Sequence, residues 1–232
     1  MVTMPPVRHL RLLVSLPVLL LGLSACQPGR ADPASIERII VIGDSITHGS
    51  GYFPGIVTYL DDVYPNAEIV LLGGPATAPV DGYDPNTGWS DWAGQVNHWV
   101  SYGFDADLVI IQGCCNRLAD PGHWRGALDS LIAKSRGYDP GGDRRVILAT
   151  TARLVPGTAS YWDAYGVGDM IMETNALIRE TPGVAVADID FAWSVDWGPV
   201  WDVPGVGVTR FIDGLHLTEA GARSSAEIIA RT

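Results

Sequence analysis

Basic residues are scarce in this chain of 232 residues, where 15 lysines and arginines stand against 26 aspartates and glutamates. The formal net charge at pH 7 is −11. A protein that binds nucleic acid or an anionic membrane surface needs a basic patch to meet the phosphates. The composition therefore predicts that neither of these is a partner of the folded domain.

Cysteine is also rare, and the three present are Cys26, Cys114 and Cys115. Adjacent cysteines can form a disulfide only through a strained ring, so we expect no structural bridge between Cys114 and Cys115. Without matching histidine spacing they do not indicate a zinc site, and small buried side chains are the expected role. The chain also lacks a glycine-rich phosphate loop and a dinucleotide fingerprint, so neither a cofactor nor a metal is predicted.

The N-terminus carries an apolar run at residues 12–23, which follows two arginines and a histidine. A run of about a dozen residues is too short to span a bilayer comfortably and is typical of a signal peptide. It ends in Leu23-Ser24-Ala25-Cys26, which resembles a bacterial lipobox with Cys26 as the lipid-modified residue. An ordinary secretory signal cut near Ala25, or a membrane anchor, is the alternative.

These features predict a signal peptide at residues 1–26, a short tether at 27–35 and a folded domain at 36–232. The predicted location is extracellular, at the cell envelope, with contact to the membrane only through a lipid on Cys26. We expect the domain to be a monomer.

The rest of the chain alternates short apolar runs with segments of helical spacing. Runs typical of strands buried on both faces lie at 38–42, 68–72, 107–112, 145–150 and 184–189. Helical spacing occurs at 56–63, 89–102, 121–135, 169–181 and 218–230, and loops are expected at 151–162 and 191–209. Strands that alternate with helices predict βαβ units, hence one α/β domain with a five-stranded parallel sheet.

The first strand leads directly into Gly43-Asp44-Ser45-Ile46-Thr47-His48-Gly49. Glycine permits a bend, and small polar residues fit a tight strand-to-helix turn or cap the next helix. A serine at the carboxyl end of a buried parallel strand lies where open α/β sheets bind ligands. Ser45 is thus either part of a helix cap or a nucleophile, and a nucleophile needs a base, an orienting carboxylate and oxyanion donors.

The segment Asp213-Gly214-Leu215-His216-Leu217-Thr218 supplies an acid and a base ahead of the last predicted helix. A gap of three residues allows Asp213 to orient the imidazole of His216 on one turn of the chain, leaving the other ring nitrogen for Ser45. His216 could instead cap a helix or be a buried, hydrogen-bonded histidine. His48 is expected to be a loop residue at the mouth of the site.

The Gly-Asp-Ser motif, together with Asp-Gly-Leu-His-Leu-Thr-Glu-Ala-Gly near the C-terminus, resembles the SGNH, or GDSL-type, hydrolases, a family of serine esterases and lipases. The resemblance covers residues 36–232. It implies a three-layer α/β/α flavodoxin-like sandwich and a catalytic triad of Ser45, His216 and Asp213.

The resemblance also implies oxyanion donors besides the N–H of Ser45. One would be a glycine after the second strand, Gly74, with Gly73 as the alternative in register; glycines there could equally serve only a turn. The other would be the side chain of Asn116, because residues 107–117 resemble a family segment in which an apolar strand precedes Gly-x-Asn-Asp.

Two residues beside Asn116 depart from the family pattern. Cys114 stands where the family has glycine, and Arg117 stands where it has aspartate. Arg117 could favour an anionic substrate or could pair with Asp120 on the surface.

Eight tryptophans and eight tyrosines suggest stacking on sugar rings, although core packing is the default for aromatic side chains. We expect one or two tryptophans to line the pocket. The candidates are Trp89 and Trp92, which flank a loop predicted at 78–88, and Trp193, Trp197 and Trp201, which lie in the loop predicted at 191–209.

The predicted function is a secreted esterase acting on small-molecule or polysaccharide esters through an acyl-enzyme on Ser45. O-deacetylation of a carbohydrate or cell-envelope polymer is preferred to triglyceride hydrolysis. An acyltransferase or a thioesterase could use the same site. A protein of another class, an envelope-binding domain without efficient catalysis, is the remaining alternative, and Cys114 and Arg117 favour it.

Overall fold

A five-stranded parallel sheet forms the centre of a computed structural model of the protein. The structure describes residues 32–74, 92, 105–113, 121–137, 144–154, 164, 166–197 and 211–232, all within the larger of two units, Ala31–Thr232. Within these ranges no helix is long and apolar enough to cross a membrane.

The strands of the described residues are β1 (Arg38–Gly43), β2 (Gly49–Ser50), β3 (Phe53–Pro54), β4 (Glu68–Gly73), β5 (Leu108–Gln112), β6 (Arg145–Ala149) and β7 (Ala185–Ala187). The helices are α1 (Ser45–His48), α2 (Leu60–Val63, preceded by a 3₁₀ turn at Ile56–Tyr59), α3 (Pro121–Gly137), α4 (Val167–Arg179), α5 (Ile189–Trp197) and α6 (Glu219–Arg231).

Apart from Arg38, Glu68 and Arg145 at their starts and Gln112 at the end of β5, the sheet strands are apolar, because both faces of the sheet are covered. Successive side chains of β1 alternate between two cores: Ile39 and Val41 pack on one side, and Ile40 and Ile42 on the other. The first core includes residues of α2, α5 and α6, and the second includes the buried leucines of α3. The predicted three-layer α/β/α sandwich is therefore confirmed.

Counted along the chain, the sheet strands follow the order 2-1-3-4-5, which is the flavodoxin-like order. The strand order reverses between β1 and β5. In such sheets ligands bind outside the carboxyl ends of the strands at this point. The turn after β1 therefore lies where a site is expected.

The turn after β1 is packed so closely that only glycine fits at position 43. A Cβ on Gly43 would overlap the side chain of Thr47 and the carbonyl oxygen of Gln112. The Thr47 hydroxyl bonds to that carbonyl oxygen at 3.2 Å and also to the Gln112 side chain. Helix α1 is thereby held against the end of β5.

Gln112 continues this contact into a buried polar network. Its side-chain nitrogen donates to the hydroxyl of Thr151 at 2.7 Å, and Thr151 exchanges two backbone hydrogen bonds with the Asn175 side chain, at 2.9 and 2.7 Å. All of these side chains are buried. Since buried polar groups are costly unless they are paired, the network fixes the relative positions of α1, β5 and α4.

A second polar cluster joins the ends of β6 and β7. Arg153 and Arg179 both bind the fully buried carboxylate of Asp190, at 2.8–3.0 Å, and Arg179 also binds Asp188 at 2.7 Å. Burial works against the charge of Asp190, but the hydrogen bonds from Arg153 and Arg179 outweigh it and hold its pKa below the ordinary value. The cluster ties the segment after β6 to the start of α5.

The helix α5 corrects the first part, residues 191–197, of the loop predicted at 191–209; the remainder of that loop lies outside the described residues. Ile189 and Trp193 are four positions apart and both are buried, so the segment has one apolar helical face. The Asp188 side chain accepts from the N–H of Phe191 at 3.1 Å, which satisfies a donor of the first turn. Trp193 therefore belongs to the core.

Three smaller points concern the tether, the segment after α1 and the helix predicted at 89–102. The tether at 27–35 ends in a 3₁₀ turn, Pro33–Ser35, which is capped by Asp32. The loop after Ser45 contains the antiparallel pair β2–β3. Of the predicted helix at 89–102 only Trp92, which is buried, lies among the described residues.

The close approach at Gly43 yields a stability prediction. Gly43→Ala should lower the free energy of unfolding by about 1–3 kcal/mol or more, because the added methyl group must displace Thr47 or the β5 backbone. Gly126→Ala is the control, since position 126 of α3 is exposed with open space around it, and it should raise stability by about 0.5–1 kcal/mol. Urea unfolding measures both, and equal stability of Gly43→Ala and the parent would contradict the packing argument.

Candidate active site

Three side chains from opposite ends of the chain meet at the carboxyl edge of the sheet. The Ser45 Oγ lies 3.1 Å from Nε2 of His216, and Nδ1 of His216 lies 2.8 Å from Oδ2 of Asp213. Ser45 is half-buried, and the His216 side chain is 13% exposed. The serine, base and acid predicted from the two motifs are thus brought together by the fold.

The hydrogen-bond partners assign the proton on the imidazole. A carboxylate only accepts, so the His216 Nδ1–H donates to Asp213. Nε2 is then left as an acceptor for the Ser45 hydroxyl. In this arrangement the imidazole can take the serine proton as Oγ attacks an electrophile, and Asp213 stabilises the imidazolium that forms.

Asp213 also shapes its own turn. Its Oδ1 accepts from the backbone N–H of Leu215 at 3.0 Å and of His216 at 2.7 Å. Burial opposes the charge of Asp213, but the hydrogen bonds from the His216 side chain and from these two N–H groups outweigh it and lower its pKa. The carboxylate is therefore ionised at neutral pH, as an acceptor for the imidazole must be.

The residues beside His216 anchor it. Leu215 and Leu217 are buried in the core, which leaves the intervening His216 at the surface of the sheet edge. A bridge between Phe211 and Leu217, with a bond of 2.8 Å from the Ile212 N–H to the His216 carbonyl, closes the loop. Thr218 then caps α6.

Asp44 and Ser45 have distinct roles in the turn after β1. The buried Asp44 is the N-cap of α1, and its Oδ1 accepts from the N–H of Ile46 at 2.9 Å. Ser45 is the first residue of α1, so its own backbone N–H has no partner within the helix, whereas the N–H of Ile46 is taken by Asp44. The capping and nucleophile interpretations are therefore compatible, because they concern neighbouring residues.

Of the predicted oxyanion donors, Gly74 lies among the described residues and Asn116 does not. The N–H of Gly74 donates to the Gly43 carbonyl at 2.9 Å, which extends the β1–β4 ladder by one bond. Gly74 could donate to an oxyanion only if this bond broke, so its role stays a prediction. Asn116, with its neighbours Cys114 and Arg117, lies outside the described residues, as does Cys26.

His48 corrects a prediction, because it is the last residue of α1 and not a loop residue. Its Nε2 lies 2.8 Å from the carbonyl oxygen of Leu72, to which the ring nitrogen donates. The contact joins the nucleophile helix to the end of β4, just before the two glycines. In the sequence, only its position three residues after Ser45 indicated that His48 lies near the site.

Phe53 is a neighbour of the triad that the sequence did not indicate. Its ring stacks on the imidazole of His216, with centroids 4.1 Å apart and an interplanar angle of 25°.

Within the described ranges, no group of three or more histidine, cysteine, aspartate or glutamate side chains could hold a metal ion.

Comparison with protein families gives a match over residues 41–223 to the GDSL-like lipase/acylhydrolase family. No curated protein sequence matches significantly.

Several solved structures share the fold at low sequence identity. An aryl esterase of Mycobacterium smegmatis is 18% identical, with a TM-score of 0.63 over 84% of this chain and 97% of its own. Est24, a carbohydrate acetylesterase from Sinorhizobium meliloti, is 16% identical, with a TM-score of 0.59 over 84% and 97%. The catalytic domain of peptidoglycan O-acetyltransferase A of Streptococcus pneumoniae is 18% identical, with a TM-score of 0.51 over 84% and 91%.

The triad geometry predicts that a sulfonyl fluoride modifies Ser45 selectively. Peptide mass spectrometry should find the adduct on Ser45 and none in Ser45→Ala. Asp213→Asn should slow the modification by about 10³–10⁴-fold, since the amide no longer holds the imidazole in the required tautomer. Asp62→Asn, which removes an exposed carboxylate paired with Arg223, is the matched control and should react like the parent. Modification of Asp213→Asn at the parental rate would contradict the assigned role.

Proposed function

The chain belongs to the GDSL-like lipase/acylhydrolase family, whose members hydrolyse carboxylic esters, and we propose that its own substrates are short acyl esters, above all O-acetyl groups on carbohydrate or cell-envelope polymers. The observation that carries the esterase chemistry is the set of distances joining Ser45 Oγ, His216 and Asp213.

The reaction follows from this geometry. The Ser45 Oγ attacks the acyl carbonyl carbon while His216 Nε2 takes the hydroxyl proton, and the resulting oxyanion can bind the N–H at the start of α1. When the tetrahedral intermediate collapses, His216 returns the proton to the alcohol, which leaves. Water then attacks the acyl-enzyme with His216 as base, releasing the carboxylic acid and restoring Ser45.

The preference for carbohydrate acetyl esters is supported by the predicted envelope location and by the named activities of two proteins that share the fold. One of these acts as a carbohydrate acetylesterase and the other as a peptidoglycan O-acetyltransferase. At 16–18% identity they share the fold only, so the acyl group and acceptor must be established by experiment.

The first test is hydrolysis of p-nitrophenyl esters of increasing acyl length by the full chain, together with acetate release from an O-acetylated polysaccharide. We expect acetate to be turned over fastest, and Ser45→Ala and His216→Ala to lose about 10⁴-fold or more in kcat. Preference for long acyl chains would contradict the proposed substrate class.

The same assay separates two of the alternatives. A transfer product in the presence of a carbohydrate acceptor would indicate an acyltransferase. If the parent and both variants were equally slow on every ester while Ser45→Ala still bound the polysaccharide, the protein would be an envelope-binding domain.

We also propose that the mature protein is attached to the outside of the cell membrane by a lipid on Cys26. The full chain expressed in a bacterium should incorporate radiolabelled palmitate and partition into detergent. Cys26→Ser should abolish both, whereas Cys114→Ser should not. Secretion of an unlabelled, processed chain would indicate an ordinary signal peptide.

A further inference from the structure

We propose that Phe53 is a positioning residue for the reaction, which holds the imidazole of His216 in the plane that directs Nε2 toward Ser45. The inference rests on the proposed esterase function and on the stacking of the two rings, with centroids 4.1 Å apart at an angle of 25°. Phe53 would act through His216 and would not need to touch the substrate.

The chain places Phe53 through the short hairpin that follows the nucleophile helix. Ser50 of β2 pairs with Phe53 of β3, and Gly49 pairs with Pro54. Gly49 has φ +73°, in the left-handed region, and it also ends α1. The hairpin thus turns back immediately after Ser45 and His48.

The hairpin has little freedom to move relative to α1. A Cβ on Gly49 would overlap the N–H of Gly55, and a Cβ on Gly55 would overlap the carbonyl oxygen of Thr47. Both glycines are buried. Because the backbone segments touch on both sides, the position of Phe53 is set by the same helix that carries the nucleophile.

The stacked ring adds contact with one face of the imidazole to the two hydrogen bonds at its edge, from Nδ1 to Asp213 and from Ser45 to Nε2. Asp213 holds His216 through one ring hydrogen bond of 2.8 Å, and rotation of an imidazole about its Cβ–Cγ bond is only weakly restricted. A flat ring against one face of the imidazole limits that rotation and keeps Nε2 at 3.1 Å from Ser45 Oγ. The same face can also attract the imidazolium that forms during the reaction.

Core packing does not account for Phe53. Its side chain is half-buried, and it belongs to neither of the two apolar clusters found among the described residues, nor to the partly buried residues packed against them. Tyr52, beside it on the hairpin, is 94% exposed. The hairpin therefore offers a matched pair: one aromatic ring on the catalytic histidine and one in solvent.

The test compares Phe53→Leu, Phe53→Tyr and Tyr52→Leu in the full chain. With p-nitrophenyl acetate, Phe53→Leu should lower kcat by about 10–10²-fold with KM within about twofold of the parent, as expected for a misplaced base. Phe53→Tyr keeps the ring and should retain kcat within about threefold, and Tyr52→Leu should match the parent. Thermal unfolding checks that each variant is folded, and Phe53→Met replaces Phe53→Leu if the latter is not.

A second readout does not depend on turnover. The His216 Nδ1 proton, bonded to Asp213, should give a downfield NMR resonance that is sharp in the parent and in Phe53→Tyr but broadened by exchange in Phe53→Leu. Parental kcat with an unchanged resonance in Phe53→Leu would overturn the proposal, as would an effect on KM alone, which would make Phe53 a substrate contact. If the parent hydrolyses no ester, the esterase assignment fails, and the resonance alone decides whether Phe53 positions the imidazole.

Discussion

The contact of Gly43 with Thr47 and Gln112 is the constraint on which the site depends. With no side chain at position 43, α1 can start directly at the end of β1 and press against the end of β5. Ser45 is thereby placed at the point where the strand order reverses, as the first residue of α1. The buried chain of polar contacts from Thr47 through Gln112 to Thr151 and Asn175 extends this constraint across three elements.

The base, His216, is positioned beside Ser45 by contacts that are independent of those that hold Ser45. Leu215 and Leu217 enter the core on either side of His216, and Asp213 closes the turn with the same carboxylate that orients the ring. Nucleophile and base lie 171 positions apart in the chain, yet each is held by local contacts within its own segment. The catalytic distance therefore depends on how β1 and α6 dock on the common core.

Local patterns were enough to predict the sheet. Strand segments such as Ile39 to Ile42 are buried on both faces of the sheet. Burial on both faces requires a continuous apolar run, and such a run can be recognised in the sequence. The pattern was not enough at α5, where tryptophans and nearby prolines suggested a loop; only the core shows that Ile189 and Trp193 share a buried face. The stacking of Phe53 on His216 and the bond from His48 to Leu72 were missed for the same reason, since the partners lie far apart in sequence.

The residues alone predicted the five strands of the sheet, most of the helices, the family, and the serine, histidine and aspartate that the fold brings together, because these follow from burial periodicity and from short motifs whose chemistry is local. Three contacts became visible only in the folded protein: the Gly74 N–H bonds within the sheet, His48 bonds to the end of β4, and Phe53 stacks on His216. Such contacts join segments whose separation in space is set by packing of the whole core, and no local pattern of residues encodes that distance.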